Sequence, residues 1–94
     1  MKPLQHVTIL DLSRVLAWPF ASMILAGLGA TVIKIEEPNR GDETRGFEPL
    51  VERNGASEGA YYFACNRGKQ SVTVNLRLRE GQQIIRDLAR EGAI

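Results

Sequence analysis

Two rhythms of apolar and polar positions run along this chain. Val7-Thr8-Ile9-Leu10-Asp11-Leu12 is apolar at nearly every position, the pattern of a strand buried on both faces of a parallel sheet. Phe20, Ile24 and Leu28 then recur every four residues, which predicts a helix with one buried stripe. Pro19 suits the first turn of that helix, where a missing N–H costs no hydrogen bond. Gly29 suits a left-handed stop at its end. Thr31-Val32-Ile33-Lys34-Ile35-Glu36 follows almost at once as a second strand. Strand, helix and strand with short joints predict a right-handed βαβ unit.

From Glu36 to Gly59 the rhythm stops. Pro38, Gly41, Gly46, Pro49, Gly55 and Gly59 are scattered among charges. This predicts a long ordered loop, and such loops inside compact domains are usually functional. Tyr61-Tyr62-Phe63-Ala64 reads as a short helix or strand carrying an aromatic cluster, and Asn66-Arg67-Gly68-Lys69 as a basic turn. Ser71 to Leu76 alternates polar and apolar residues as a third strand does. Arg79 to Glu91 reads as a helix with Ile84, Ile85, Leu88 and Ala89 on its apolar face and Gly92 as its stop. No Ser, Thr, Asp or Asn caps its start. Ile94, directly after the stop, has the character of the first residue of a further strand, so the pattern breaks off in mid-architecture. The fold class is α/β.

Composition narrows the chemistry. Ninety-four residues with 44% hydrophobic and 24% charged side chains and a net charge of +1 describe at most one small globular domain. So balanced a charge provides no general field for nucleic acid or an anionic membrane, so an anion site must be local. No apolar run approaches the ~20 residues of a membrane span. The N-terminus, with Lys2, Pro3 and Gln5, lacks a secretory apolar core. Cys65 is the only cysteine; it reads as a buried structural residue, and a cytoplasmic location is expected.

Several chemistries lack their residues. The first strand-to-helix joint, Ser13-Arg14-Val15-Leu16-Ala17-Trp18, contains no glycine, whereas a dinucleotide fold needs G-x-G-x-x-G there. Glu36 occupies the position of a ribose-binding acid, but stands alone. Gly68-Lys69 precedes a strand rather than a helix, unlike a phosphate loop. His6 is the only histidine and reads as a surface residue without metal or triad partners. Glu36-Glu37 and Asp42-Glu43 read as solvated loop charges; no metal site is expected.

Four blocks in register carry a family resemblance. They are Leu10-Asp11-Leu12-Ser13-Arg14-Val15-Leu16-Ala17-Trp18-Pro19-Phe20, Leu28-Gly29-Ala30-Thr31-Val32-Ile33-Lys34-Ile35-Glu36, Gly41-Asp42-Glu43-Thr44-Arg45-Gly46 and Asn66-Arg67-Gly68-Lys69-Gln70-Ser71-Val72. In this order the chain resembles the N-terminal region of class III (CaiB/BaiF-type) coenzyme A transferases, which include formyl-CoA transferase, carnitine and dicarboxylate CoA-transferases and the related α-methylacyl-CoA racemases. The resemblance implies that residues 1–94 are the N-terminal part of a CoA-binding large domain, the Rossmann-like βαβ start of a longer subunit that forms an interlocked homodimer.

The same resemblance implies a site. The loop after the first strand, Arg14-Val15-Leu16-Ala17, lies along coenzyme A in the family, and the edge of the third strand, Val74 and Arg77, holds its adenine end. Guanidinium groups suit phosphate oxygens. Arg67 and Lys69 read as a solvated turn. Trp18 stands where the family usually has glycine, so its indole is expected to fill part of the thioester pocket or to pack in the core. Leu16 replaces the polar residue of formyl-CoA transferases, which argues against formyl or oxalyl specificity.

The implied activity moves CoA between an acyl-CoA and a carboxylic acid acceptor through an aspartyl-CoA intermediate. No aspartate here matches the nucleophile motif: Asp11 reads as structural and Asp42 as part of the Gly-Asp-x-Thr-Arg loop. CoA is substrate; no resident cofactor, nucleic acid or membrane partner is implied. An acyl-CoA racemase and a short non-catalytic binding protein are the alternatives.

Overall fold

A computed structural model describes residues 2–94. Its elements run β1 (Thr8–Asp11), α1 (Ala17–Gly27), β2 (Thr31–Glu36), a 3-10 turn (Glu43–Gly46), β3 (Leu50–Arg53), β4 (Ala56–Gly59), α2 (Ala60–Asn66), β5 (Gln70–Thr73) and α3 (Arg79–Arg90). β1, β2 and β5 form a parallel sheet with β2 in the middle. Thr8 lies opposite Thr31, and Ile33 opposite Gln70. Parallel neighbours need a crossover; α1 and α2 supply the two crossovers and pack against each other. The expected α/β start is therefore present.

Ile94 extends the sheet. Its N–H donates to the Thr8 carbonyl (2.9 Å) and its carbonyl accepts from Leu10 N–H (2.7 Å). One residue bonded to both neighbours of Ile9 is the parallel ladder pattern. Ile94 thus bonds along the edge of β1 that β2 does not occupy.

Three expectations are corrected. Residues 36–59 are not one loop: β3 and β4 form an antiparallel hairpin with Val51 opposite Glu58. Asn54 and Gly55 turn it with φ of 51° and 80°, and Asn-Gly is the dipeptide that such a two-residue turn favours. The Phe20, Ile24 and Leu28 stripe of α1 is not buried; these side chains are 48%, 50% and 43% exposed. α1 instead turns Pro19 and Ser22 inward, because the Ser22 hydroxyl donates to the buried Asp11 carboxylate (2.6 Å). On α3, Ile84 and Ala89 are exposed, while Ile85 and Leu88 are half-buried. Cys65 is buried and His6 exposed, as their sequence contexts imply. Among the described residues no helix is long and apolar enough to cross a membrane.

Gly81, in the first turn of α3, lies against the segment that follows β5. A Cβ there would overlap the Asn75 carbonyl and come within 3.2 Å of Val74 Cγ1. We expect Gly81→Ala to destabilise the chain by about 1–3 kcal/mol through overpacking. Urea denaturation measures this, and an unchanged midpoint would refute the close approach.

Candidate functional site

The C-terminal ends of parallel strands are where α/β sheets bind ligands, and here those ends are charged. Lys34 and Glu36 stand two apart on β2, so they share one face; both are buried. Three pairs neutralise the layer. Lys34 Nζ is 2.8 Å from Asp42 Oδ2, with side chains 1% and 0% exposed. Lys69 Nζ is 2.8 Å from Asp11 Oδ2, with side chains 1% and 3% exposed. Arg45 meets Glu36 bidentately, Nε to Oε2 and Nη2 to Oε1, each at 2.7 Å.

Each carboxylate has further donors. Glu36 Oε1 accepts from the Tyr62 and Ser71 hydroxyls, both at 2.7 Å, and Oε2 accepts from Asp42 N–H at 2.8 Å. Asp11 accepts from the Ser13 N–H and from the hydroxyls of Ser13 and Ser22. Asp42 Oδ1 accepts from Thr44 N–H (2.9 Å) and Thr44 Oγ1 (2.8 Å). Asp42 Oδ2 has the lysine as its ionic partner but no aligned hydrogen-bond donor among the described residues.

The titration behaviour follows from these contacts. Burial alone would raise the Asp11 carboxyl; Lys69 and the two serines together outweigh it and hold it at about 2. The same contest, burial against Arg45, Ser71 and Tyr62, leaves Glu36 well below the usual carboxylate range. Burial against Lys34 and Thr44 also leaves Asp42 lowered. Burial, helped by the Glu36 carboxylate, pushes the Tyr62 phenol up to about 12. Burial lowers the Lys69 ammonium despite Asp11. The Arg45 guanidinium is raised by Glu36 and stacks 3.8 Å over the Tyr62 ring.

A cleft of about 380 Å³ opens above this layer. Its walls are residues 12–14 after β1, residues 34–36 at the end of β2 with residues 37–39, Gly41 and Asp42 beyond it, and residues 74–77 after β5. Leu12, Pro38, Val74 and Leu76 make an apolar lining. Arg14 and Arg77 stand on the two flanking segments, either side of β2. Arg14 has only an exposed ion pair, to Glu43 at 3.2 Å, which holds a side chain weakly. The Arg77 guanidinium has no ion-pair partner among the described residues; its backbone N–H donates to Asn75 Oδ1 at 3.0 Å. Since Lys34 and Glu36 are already neutralised, the cleft's available charge is two arginines against Glu37.

Of the six residues singled out from the sequence, Arg14, Val74 and Arg77 line this cleft. Val15 is half-buried just behind the wall, Leu16 is 49% exposed, and Ala17 begins α1. No side chain caps α1, so its first N–H groups are left for solvent or a ligand. Trp18 neither lines the cleft nor packs in the core; it is 75% exposed.

Other readings are corrected. The Lys69 side chain is not solvated but a buried cation holding β1, α1 and α2 together; of the two basic side chains in that turn, Arg67 alone is exposed. Glu36 and Asp42 are not solvated loop charges, since both are buried and paired. Glu36 cannot serve a ribose, because both its oxygens are taken. The signal for Lys34 and Glu36 was present as two charges on one face of a central strand, which demand buried partners.

Comparison with known proteins supplies the family context. The family model for CoA-transferase family III matches residues 4–94. A succinyl-CoA:glutarate CoA-transferase from Homo sapiens is 49% identical over 89 residues, covering 95% of this chain and 20% of that protein. A succinate–glutarate CoA-transferase from Agrobacterium fabrum is 43% identical over 91 residues, covering 94% of this chain and 23% of that protein. The crystal structure of a CaiB/BaiF family protein from Brucella suis superposes with a TM-score of 0.88 at 42% identity, over 96% of this chain and 24% of that one. The chain therefore spans roughly a fifth to a quarter of the length of the relatives it matches.

Proposed function

The chain belongs to CoA-transferase family III, and from that premise we propose that it forms the wall of a site for the nucleotide end of coenzyme A. Residues 1–94 are then the N-terminal part of a CoA-binding large domain. The observation that carries the reading is the cleft itself: an apolar lining between two arginines, over a layer whose other charges are neutralised. An adenine face needs the lining, and the 3′-phosphate and diphosphate need the guanidinium groups.

The activity we assign to the whole protein is transfer of CoA from an acyl-CoA to a carboxylic acid acceptor. A carboxylate attacks the thioester, releasing CoA thiolate and leaving a mixed anhydride. The thiolate returns to the enzyme carbonyl, freeing the donor acid and forming the enzyme–CoA thioester. The acceptor carboxylate then attacks that thioester, expelling CoA thiolate and forming a second mixed anhydride, and the thiolate attacks the acceptor carbonyl of that anhydride, giving acceptor-CoA and freeing the enzyme carboxylate. The aspartates seen here support a nucleophile outside this chain. Asp11 and Asp42 are buried in ion pairs, and Asp87 lies on α3, away from the cleft, accepting from Gln83. The half-exposed apolar stripe of α1 supports its coverage by further polypeptide, as in a homodimeric enzyme.

Calorimetry on the chain with CoA, and with NAD as control, tests the cleft. We expect micromolar CoA binding and none for NAD. Arg77→Ala should weaken CoA roughly tenfold or more, the value of a charge-assisted contact of about 1.5–3 kcal/mol. Equal binding of CoA and NAD, or no effect of the substitution, would sink the reading.

A further inference from the structure

Val15 has φ of 73°. A β-branched side chain crowds the backbone in this left-handed region, so the conformation persists only where its surroundings impose it. Asp11 holds the start of the turn by accepting from the Ser13 N–H and hydroxyl, and a second buried ion pair holds its two ends. Val15 N–H donates to Asp42 Oδ1 at 3.3 Å, and Lys34 Nζ donates to the Ser13 carbonyl at 3.2 Å. Asp42 and Lys34 are joined at 2.8 Å, and Thr44 fixes the carboxylate from the other side. The pair therefore grips the backbone on both sides of Arg14, whose own side chain is 60% exposed and lines the cleft.

We infer that Lys34 and Asp42 are positioning residues that aim Arg14 into the cleft by holding the Ser13–Val15 backbone in its left-handed turn. This rests on the reading of the cleft as a coenzyme A site. Both belong to the cleft's walls, but their side chains are almost wholly buried and spent on each other, so they act through the loop. Preorganising a charged contact in this way spares the bound state the cost of ordering it.

A double-mutant cycle tests the inference, with CoA affinity read by calorimetry and the Ser13, Arg14 and Val15 amide shifts read by NMR. K34M/D42A removes both grips and leaves no unpaired buried charge; K34M/D42N is the milder variant if the first fails to fold. In the parent chain the double substitution should weaken CoA roughly tenfold and move the three amide signals. In an Arg14→Ala background the same substitution should change affinity less than about twofold, because the residue being aimed is gone. Equal losses in both backgrounds, or unmoved amide signals in a folded variant, would overturn the inference. Failure of the parent chain to bind CoA would instead overturn the reading of the cleft, while the amide signals still decide whether the pair holds the loop.

Discussion

Lys69→Met is expected to cost about 3–5 kcal/mol, the usual penalty for leaving one partner of a buried ion pair alone. A chain of this size has roughly 5–14 kcal/mol of stability in all, so most of its margin would go. The Lys69 ammonium spends its three donors on Asp11 Oδ2 (2.8 Å), the Pro19 carbonyl (2.9 Å) and Asn66 Oδ1 (2.8 Å). It thereby joins β1, the start of α1 and the end of α2. Methionine fills the volume but leaves the Asp11 carboxylate buried with only serine donors. The companion variant D11N/K69M carries no net charge at the site and should recover most of the loss. Urea denaturation of both variants decides the matter. A Lys69→Met chain within about 1 kcal/mol of the parent would contradict the buried pair.

Acidification should unfold the chain through the same layer. Asp11 is held at about 2 rather than 3.8, and such a lowering is worth about 2 kcal/mol. The sign is that of a depressed carboxyl: the stabilisation is complete above the unfolded value and is lost as pH falls through about 4 towards 2. Glu36 and Asp42 are lowered as well and add in the same direction. The denaturation midpoint should thus be flat between pH 7 and 5 and drop steeply below pH 4, and D11N should make that drop shallower. A parent profile that stays flat down to pH 3 would rule out these carboxylates as the source of stability.

Hydrophobic rhythm located β1 and β2 as apolar runs and α1 and α3 by apolar residues recurring three or four apart. The hairpin of β3 and β4 was legible too, in Asn54-Gly55, but its strands alternate weakly and are largely exposed, so periodicity passed over them. The inward face of α1 was not legible. An apolar stripe normally marks the buried side, yet Ser22 is drawn to the sheet by Asp11, a residue eleven positions away.

The sequence by itself determined the family and the βαβ order, because these rest on short-range apolar patterns and on four blocks in register. Only the tertiary structure decided which charges are free to meet a ligand. Glu36, Asp42 and Lys69 read along the chain as solvated charges and become internal pairs in space, since an isolated buried charge is prohibitively costly and must find its counter-ion wherever the fold brings one. Arg14 and Arg77 are left over by that pairing, and the cleft takes its charge from them.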